Sequence, residues 1–180
     1  CNGEVPSRFE DFSWLNVLAR NGNVPIRTAQ EAIHAYWKET LLKDVENTCP
    51  VCGRGSPGDR HPWIQQKRVQ AYPDVLLVAL NRWHDDTNAS LHTVHANEHI
   101  DMQEQRYELV STVCHLGASP LAGHYVAIAR HGSTANDWWV YDDHRCDVAS
   151  PEEISAESDK FRAYENLQSY ILVYAKVMKL

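Results

Sequence analysis

One imidazole and two carboxylates stand at strand ends in the stretch 107–143, YELVSTVCHLGASPLAGHYVAIARHGSTANDWWVYDD. His124 opens an apolar run, Val126-Ala127-Ile128-Ala129, and Asp142-Asp143 closes the next one, Trp138-Trp139-Val140-Tyr141. The start of one strand and the end of its antiparallel neighbour lie side by side. A carboxylate beside an imidazole fixes the ring's tautomer and favours its charged form. Such a pair is the base and the orienter of a nucleophile–base–orienter triad. The plainer reading is a core histidine that caps a strand beside a surface Asp pair.

A second chemistry-bearing set is Cys49-Pro50-Val51-Cys52-Gly53. Two thiolates two residues apart on a turn form half of a tetrahedral zinc site. No second C-x-x-C exists among the five cysteines, which leaves Cys1 as the one free to join. The alternative is a knuckle held by packing alone. Cys114, inside the 109–116 run beside His115, reads as a small buried hydrophobe, and Cys146 reads as packing too. His92, His95 and His99 could face one way on a helix as metal ligands, or could sit in a solvated loop; Asn88, Ala89, Ser90 and Asn97 favour the loop.

Among the elements that must hold these residues, residues 12–19 alternate as a strand and Asn21-Gly22-Asn23 marks a turn. Thr28-Ala29-Gln30-Glu31 is a capping box that opens a helix to about Leu42, with Ile33, Tyr36, Trp37 and Leu41 as its buried stripe. Residues 53–59 are a Gly/Ser/Pro loop, residues 63–70 an alternating strand, and residues 72–83 a buried apolar strand. Ala118 to Gly123 reads as a small-residue loop. Ser150-Pro151-Glu152-Glu153 opens a short helix, and residues 169–176 close the chain as a strand.

The chain has 180 residues, 43% of them hydrophobic, enough for one domain with a sizeable core. No apolar run approaches a membrane span. A net charge of −7 argues against a nucleic-acid partner and suits a basic protein surface. The cysteine usage fits reduced intracellular thiols, cytoplasmic or nuclear. The start, Cys1-Asn2-Gly3-Glu4, carries neither an initiator Met nor a signal-peptide pattern, which suggests an excised portion of a longer chain.

Tyr107, Leu109, His115, Gly117, Gly123, His124, Tyr125, Trp138, Tyr141, Asp142 and Asp143 stand in the order and spacing of a known motif. The pattern resembles the histidine box of the ubiquitin-specific proteases, the papain-like deubiquitinating enzymes. Residues 72–83 resemble that family's Leu-Pro-x-Val-Leu-x-x-x-Leu-Lys-Arg-Phe strand, with Asn81 and Trp83 departing from it, and residues 169–174 resemble its terminal strand. The resemblance implies an α+β, papain-like cysteine protease fold: an antiparallel palm sheet with finger strands and few helices. Fingers would occupy about residues 1–83, the palm about 84–180, and the thumb would lie outside the chain.

By the same resemblance His124 is the general base, Asp142 orients it, and Asp143 assists. Gly117, Gly123 and Tyr125 flank the substrate tail, with the glycines small so that backbone can approach. Cys49, Cys52 and Cys1 belong to a structural zinc site of the intact parent; catalysis needs no cofactor. Asn47-Thr48-Cys49 mimics the family's cysteine box, but Pro50 spoils the helix N-terminus that would lower the thiol pKa. The nucleophile and its oxyanion-stabilising Asn are therefore expected outside this chain. The implied activity is thiol-dependent hydrolysis after the C-terminal glycine of ubiquitin, on ubiquitin or ubiquitinated proteins, with the 180 residues alone inactive. The alternatives are a non-catalytic ubiquitin-binding module and a peptidase for a ubiquitin-like modifier.

Overall fold

The computed structural model describes residues 8–12, 14–21, 24–45, 49, 51–53, 61–85, 88–89, 94–119, 122–132, 137–149 and 167–178. In chain order the elements begin with β1 (Trp14–Leu18), β2 (Arg20–Asn21), β3 (Val24–Pro25), α1 (Ala29–Trp37), β4 (Thr40–Val45) and β5 (His61–Gln65). Then come β6 (Val75–Asn81), β7 (Trp83–Asp85), β8 (Asn88–Ala89), β9 (His99–Met102) and β10 (Gln105–Ser119). The last four are β11 (Ala122–Arg130), β12 (Trp138–Asp142), β13 (Arg145–Ala149) and β14 (Leu167–Lys176). The chain divides into two compact units, one of Cys1–Phe12 and Trp37–Gln70, the other of Ser13–Tyr36 and Ala71–Leu180.

The larger unit is built on an eight-stranded sheet of order β1-β6-β14-β10-β11-β12-β13, with β9 paired to β10. Its strands alternate buried and accessible residues, most plainly in β1 and β6, as a sheet with one core face requires. That face is filled by Leu15, Val17, Leu76, Val78, Leu80, Leu109, Val126, Ile128 and Leu172, each at most 2% exposed. Burying each such side chain is worth about 1.5–3 kcal/mol. Tyr107 and Tyr174 are fully buried, and each phenol finds a carbonyl: Tyr107 donates to Pro73 O at 2.8 Å, Tyr174 to Asn97 O at 3.0 Å. Burial pushes the Tyr107 hydroxyl up to about 12 and the Tyr174 hydroxyl up as well.

The sheet is mixed rather than wholly antiparallel. β1 runs parallel to β6, Trp14 opposite Leu77 and Leu18 opposite Asn81, while every other pairing of the sheet among the described residues is antiparallel. The long connection between these two strands, which includes α1, returns the chain to the same end, a path a hairpin cannot take. No described helix is long and apolar enough to cross a membrane.

The helix begins where the capping box predicts. The Glu31 amide donates to Thr28 Oγ1 at 3.1 Å, and the Glu31 carboxylate accepts from the Arg27 amide at 2.8 Å, one residue before the expected Thr28 amide. It ends sooner than predicted. After Trp37 the chain turns into β4, which pairs with β5 through Thr40 opposite Gln65 and Leu42 opposite Trp63 in the smaller unit. Leu41 therefore lies 55% exposed on a strand instead of in a helical stripe. Tertiary pairing overrides an otherwise adequate helix propensity. The expected strand over residues 63–70 is displaced N-terminally to β5, and His99, expected in a loop with His92 and His95, opens β9. Gly22, Asn23 and the short helix expected from Ser150 lie outside the described residues.

Candidate active site

The site is set by how β10, β11 and β12 pair. β10 and β11 run antiparallel with His115 opposite Tyr125 and Leu116 opposite His124. The pairing continues to Ser119 opposite Ala122, so most of the expected 118–123 loop is strand. β11 pairs β12 through Ala127 opposite Tyr141 and Arg130 opposite Trp138. His124 thus projects from the start of β11 at the end of β12 where Asp142 sits. The chain then reverses through Asp143, at φ 51°, and Arg145 pairs back on Asp142. An aspartate accepts that left-handed conformation at lower cost than most side chains.

His124 Nε2 lies 2.5 Å from Asp142 Oδ1. A carboxylate can only accept, so Nε2 carries the proton and Nδ1 offers its lone pair. The Asp142 hydrogen bond, with the charges of Asp142 and Asp143, holds the imidazole above its ordinary pKa, against a smaller opposing effect of desolvation. The side chains differ in exposure, 41% for His124 and 19% for Asp142, so the carboxylate is shielded while the imidazole is more open to solvent. The ring nitrogen and the carboxylate oxygens of His124, Asp142 and Asp143 lie within 4.8 Å of one another. Three of the predicted site residues are therefore one cluster.

Gly117, Gly123 and Tyr125 stand beside it on the same strand pair. Gly117 has φ +151°, and a Cβ there would stand 2.6 Å from Ala122 O. A Cβ on Gly123 would overlap His115 Nε2 and stand 2.5 Å from Leu116 O. The protein's own packing thus requires glycine at both positions, whatever ligand passes over them. Tyr125 is 51% exposed and its ring meets His115 at 4.8 Å. His115, read in the sequence only as an anchor, is 5% exposed and central to this packing. The two glycines at i+2 and i+8 from it were the available signal.

The cysteines divide by environment. Cys114 is buried and burial raises its thiol pKa, as a core residue should behave. Cys146 is exposed on β13, which corrects the packing expectation: it lies on the edge strand of the sheet, opposite Tyr141. In the smaller unit, the Cys49 thiol is lowered chiefly by hydrogen bonds from the Cys52 and Val51 amides. The turn closes with the Gly53 amide donating to Cys49 O at 2.9 Å, and Gly53 sits at φ +65°. Turn amides, not a helix, thus stabilise this thiolate, despite Pro50. Two thiol donors on such a turn fit half of a zinc site, and Cys1 lies outside the described residues.

His95 and His99 do not gather as a metal set with each other. His95 bridges Thr28 and exchanges backbone hydrogen bonds with Arg27 and Ala29. His99 lies opposite Glu108 and near Glu98, but Glu108 is already ion-paired to Arg130 at 2.9 Å, and that pair lowers its carboxyl pKa. His92 lies outside the described residues.

A shielded carboxylate hydrogen-bonded to an exposed histidine across two strand ends has the geometry that the acid–base half of a nucleophilic hydrolase would require. That class can be narrowed by descent. The chain belongs to the ubiquitin carboxyl-terminal hydrolase family, whose sequence model matches residues 24–174. Among curated relatives it is similar to ubiquitin carboxyl-terminal hydrolase 46 of Caenorhabditis elegans, 26% identical over 174 residues, covering 86% of this chain and 38% of that protein. It is also similar to Ubl carboxyl-terminal hydrolase 18 of Mus musculus, 22% identical over 195 residues, covering 98% of this chain and 51% of that protein. The chain thus spans about two-fifths to one-half of those relatives' lengths.

Solved structures share the fold. The SAGA DUB module of Ubp8, Sgf11, Sus1 and Sgf73 bound to monoubiquitin matches with a TM-score of 0.75 at 20% identity, over 100% of this chain and 38% of that one. The same module bound to ubiquitin aldehyde matches with a TM-score of 0.69 at 18% identity, over 94% and 37% of the respective chains.

Proposed function

We propose that this chain supplies the base and orienter of a cysteine-type deubiquitinase, and that ubiquitin or ubiquitinated proteins are its partners. The observation that carries the reading is the His124–Asp142 pair, with Nε2 committed to the carboxylate and Nδ1 left to face a thiol. Fingers at about residues 1–83 and a palm at about 84–180 make up this portion, with β1 and β6 of the former contributed to the palm sheet, and Gly117, Gly123 and Tyr125 line the path of the ubiquitin tail. The thiol itself comes from a segment beyond these 180 residues. Of the described cysteines, Cys114 is buried, Cys49 and Cys52 form the finger knuckle, and Cys146, opposite Tyr141 while Asp142 is opposite Arg145, alternates to the other face of the sheet from Asp142, so none of the four is placed to give its proton to His124.

In this scheme His124 Nδ1 takes the proton of the thiol, and the thiolate attacks the carbonyl carbon after the terminal glycine of ubiquitin. The C–N bond breaks and the leaving amine takes the proton back from Nδ1. Water then gives a proton to Nδ1 as its oxygen attacks the thioester, which releases the carboxylate product and restores the thiol. Asp142 holds the ring through both halves, with Asp143 adding negative charge beside the imidazolium. Catalysis needs no cofactor. A structural zinc held by Cys49, Cys52, Cys1 and a further ligand of the longer protein completes the fingers. The working compartment is intracellular, cytoplasmic or nuclear.

The similarity to a protein named as a Ubl carboxyl-terminal hydrolase favours one second reading, a peptidase for a ubiquitin-like modifier. The test is labelling of the longer protein by ubiquitin and by a ubiquitin-like modifier, each carrying a C-terminal electrophile. Ubiquitin labelling that His124→Ala abolishes supports the first reading. Labelling by the modifier alone supports the second, and labelling unaffected by His124→Ala refutes both.

A further inference from the structure

His115 has no part in the scheme above, yet its ring is packed into the strand pair that carries His124. It is 5% exposed. Strand alternation puts residues 115 and 125 on one face of this pair and 116 and 124 on the other, and past the register shift that follows Leu116 the Cβ directions of Gly117 and Gly123 both meet the His115 ring. On its own face the His115 ring occupies the space a Gly123 side chain would need, with Cε1 2.6 Å from that Cβ position and 3.1 Å from the one at Gly117. It also meets the Tyr125 ring at 4.8 Å, and Tyr125 in turn stands edge-on to Tyr170 at 6.0 Å. The residues immediately before and after His124 are therefore both held by one buried ring on the opposite face of the strand.

Glycine has no side chain with which to hold itself in place, so the position of Gly123 depends on what packs against it. The hydrogen bond that Gly123 and Tyr125 aim, Nε2 to Asp142, tolerates little displacement before it is lost.

We propose that His115 is a positioning residue: its ring, set between Gly123 and Tyr125, fixes the direction in which His124 projects toward Asp142. The inference rests on the reading of His124 as the base, but its test does not use hydrolysis.

The test is the NMR titration of the His124 ring in the 180-residue chain and in three variants: His115→Ala, His115→Phe and Leu109→Ala. His115→Ala empties the slot, and the His124 midpoint is expected to fall toward the ordinary imidazole range as the Asp142 hydrogen bond loosens. His115→Phe refills the slot with a ring and should keep most of the raised midpoint. Leu109, 2% exposed on the same strand, supplies the control: its truncation makes a core cavity and lowers stability but should leave the titration in place. If His115→Ala does not fold, His115→Asn takes its place, with the same expected fall. A folded His115→Ala or His115→Asn chain whose His124 titrates as in the unsubstituted protein overturns the proposal. So does a Leu109→Ala shift of equal size. Failure of the hydrolase reading would show instead as absent thiol-dependent labelling in the longer protein while these titrations still differ.

Discussion

Gly123→Ala tests the packing under the site most directly. Two effects oppose each other. Alanine in place of glycine restricts the unfolded chain and, where the backbone allows it, stabilises by about 0.4–1 kcal/mol. Gly123 lies in β11 with no positive φ, so the backbone itself permits alanine. The new methyl, however, would overlap His115 Nε2 and stand 2.5 Å from the Leu116 carbonyl oxygen. A ring could rotate away from one of these contacts, but His115 is enclosed and packed against the tilted Tyr125 ring. The carbonyl belongs to the backbone of the paired strand and cannot move alone. Overpacking of this kind costs roughly 1–3 kcal/mol and exceeds the entropic gain. A net loss of about 1.3 kcal/mol should lower the Tm by roughly 3–5 °C in a chain of this size. Thermal and urea melts of the two chains measure it. Gly132→Ala is the comparison: among the described residues the same methyl meets nothing nearer than Asp137 Oδ2 at 3.7 Å, so the cost expected is that of φ +78°, roughly 1–2 kcal/mol. If Gly123→Ala proves as stable as the unsubstituted chain, or more so, the argument that His115 fills this space is wrong.

Three further outcomes are expected. The raised His124 pKa means that the folded state binds this proton more tightly, so its stabilisation is complete below the ordinary imidazole pKa and is lost as pH rises through the raised value; Asp142→Asn should flatten that part of a stability–pH profile measured by urea melts. The 180-residue chain should not react with ubiquitin carrying a C-terminal electrophile, whereas the longer protein should, and Asp142→Asn in the longer protein should slow turnover roughly 10²–10⁴-fold; robust labelling of the short chain through one of its own cysteines would show the nucleophile misplaced. Metal analysis of the longer protein should find about one zinc, and Cys49→Ser should lower both zinc content and Tm; no zinc and an unchanged Tm would remove the metal from the fingers.

The local order of residues was enough for much of the site. Strand alternation placed His124 and Asp142 at neighbouring strand ends, because side-chain direction in a strand has a period of two and hairpin partners are adjacent in the chain. The capping box located the start of α1 for a similar reason: its hydrogen bonds span only three or four residues. The same holds for the Cys49–Cys52 turn, whose amides and thiols are local to one another.

What depended on distant partners was not available from the sequence. The end of α1 and the exposure of Leu41 follow from pairing with β5, which lies far along the chain. The parallel placement of β1 beside β6 follows from the long connection between them. Cys146 is exposed because it shares a sheet face with Tyr141, itself 37% exposed on the neighbouring strand, a fact of cross-strand register that its own neighbours do not encode. The reason for glycine at 117 and 123 is the clearest instance. Residue type alone suggested room for a ligand, but the space is taken by His115, and only the register of β10 against β11 decides which side chain fills a gap left by a missing Cβ. Chemistry carried by neighbours in sequence is written into the sequence; volume, which every element of the sheet shares, is settled only when the strands are packed together.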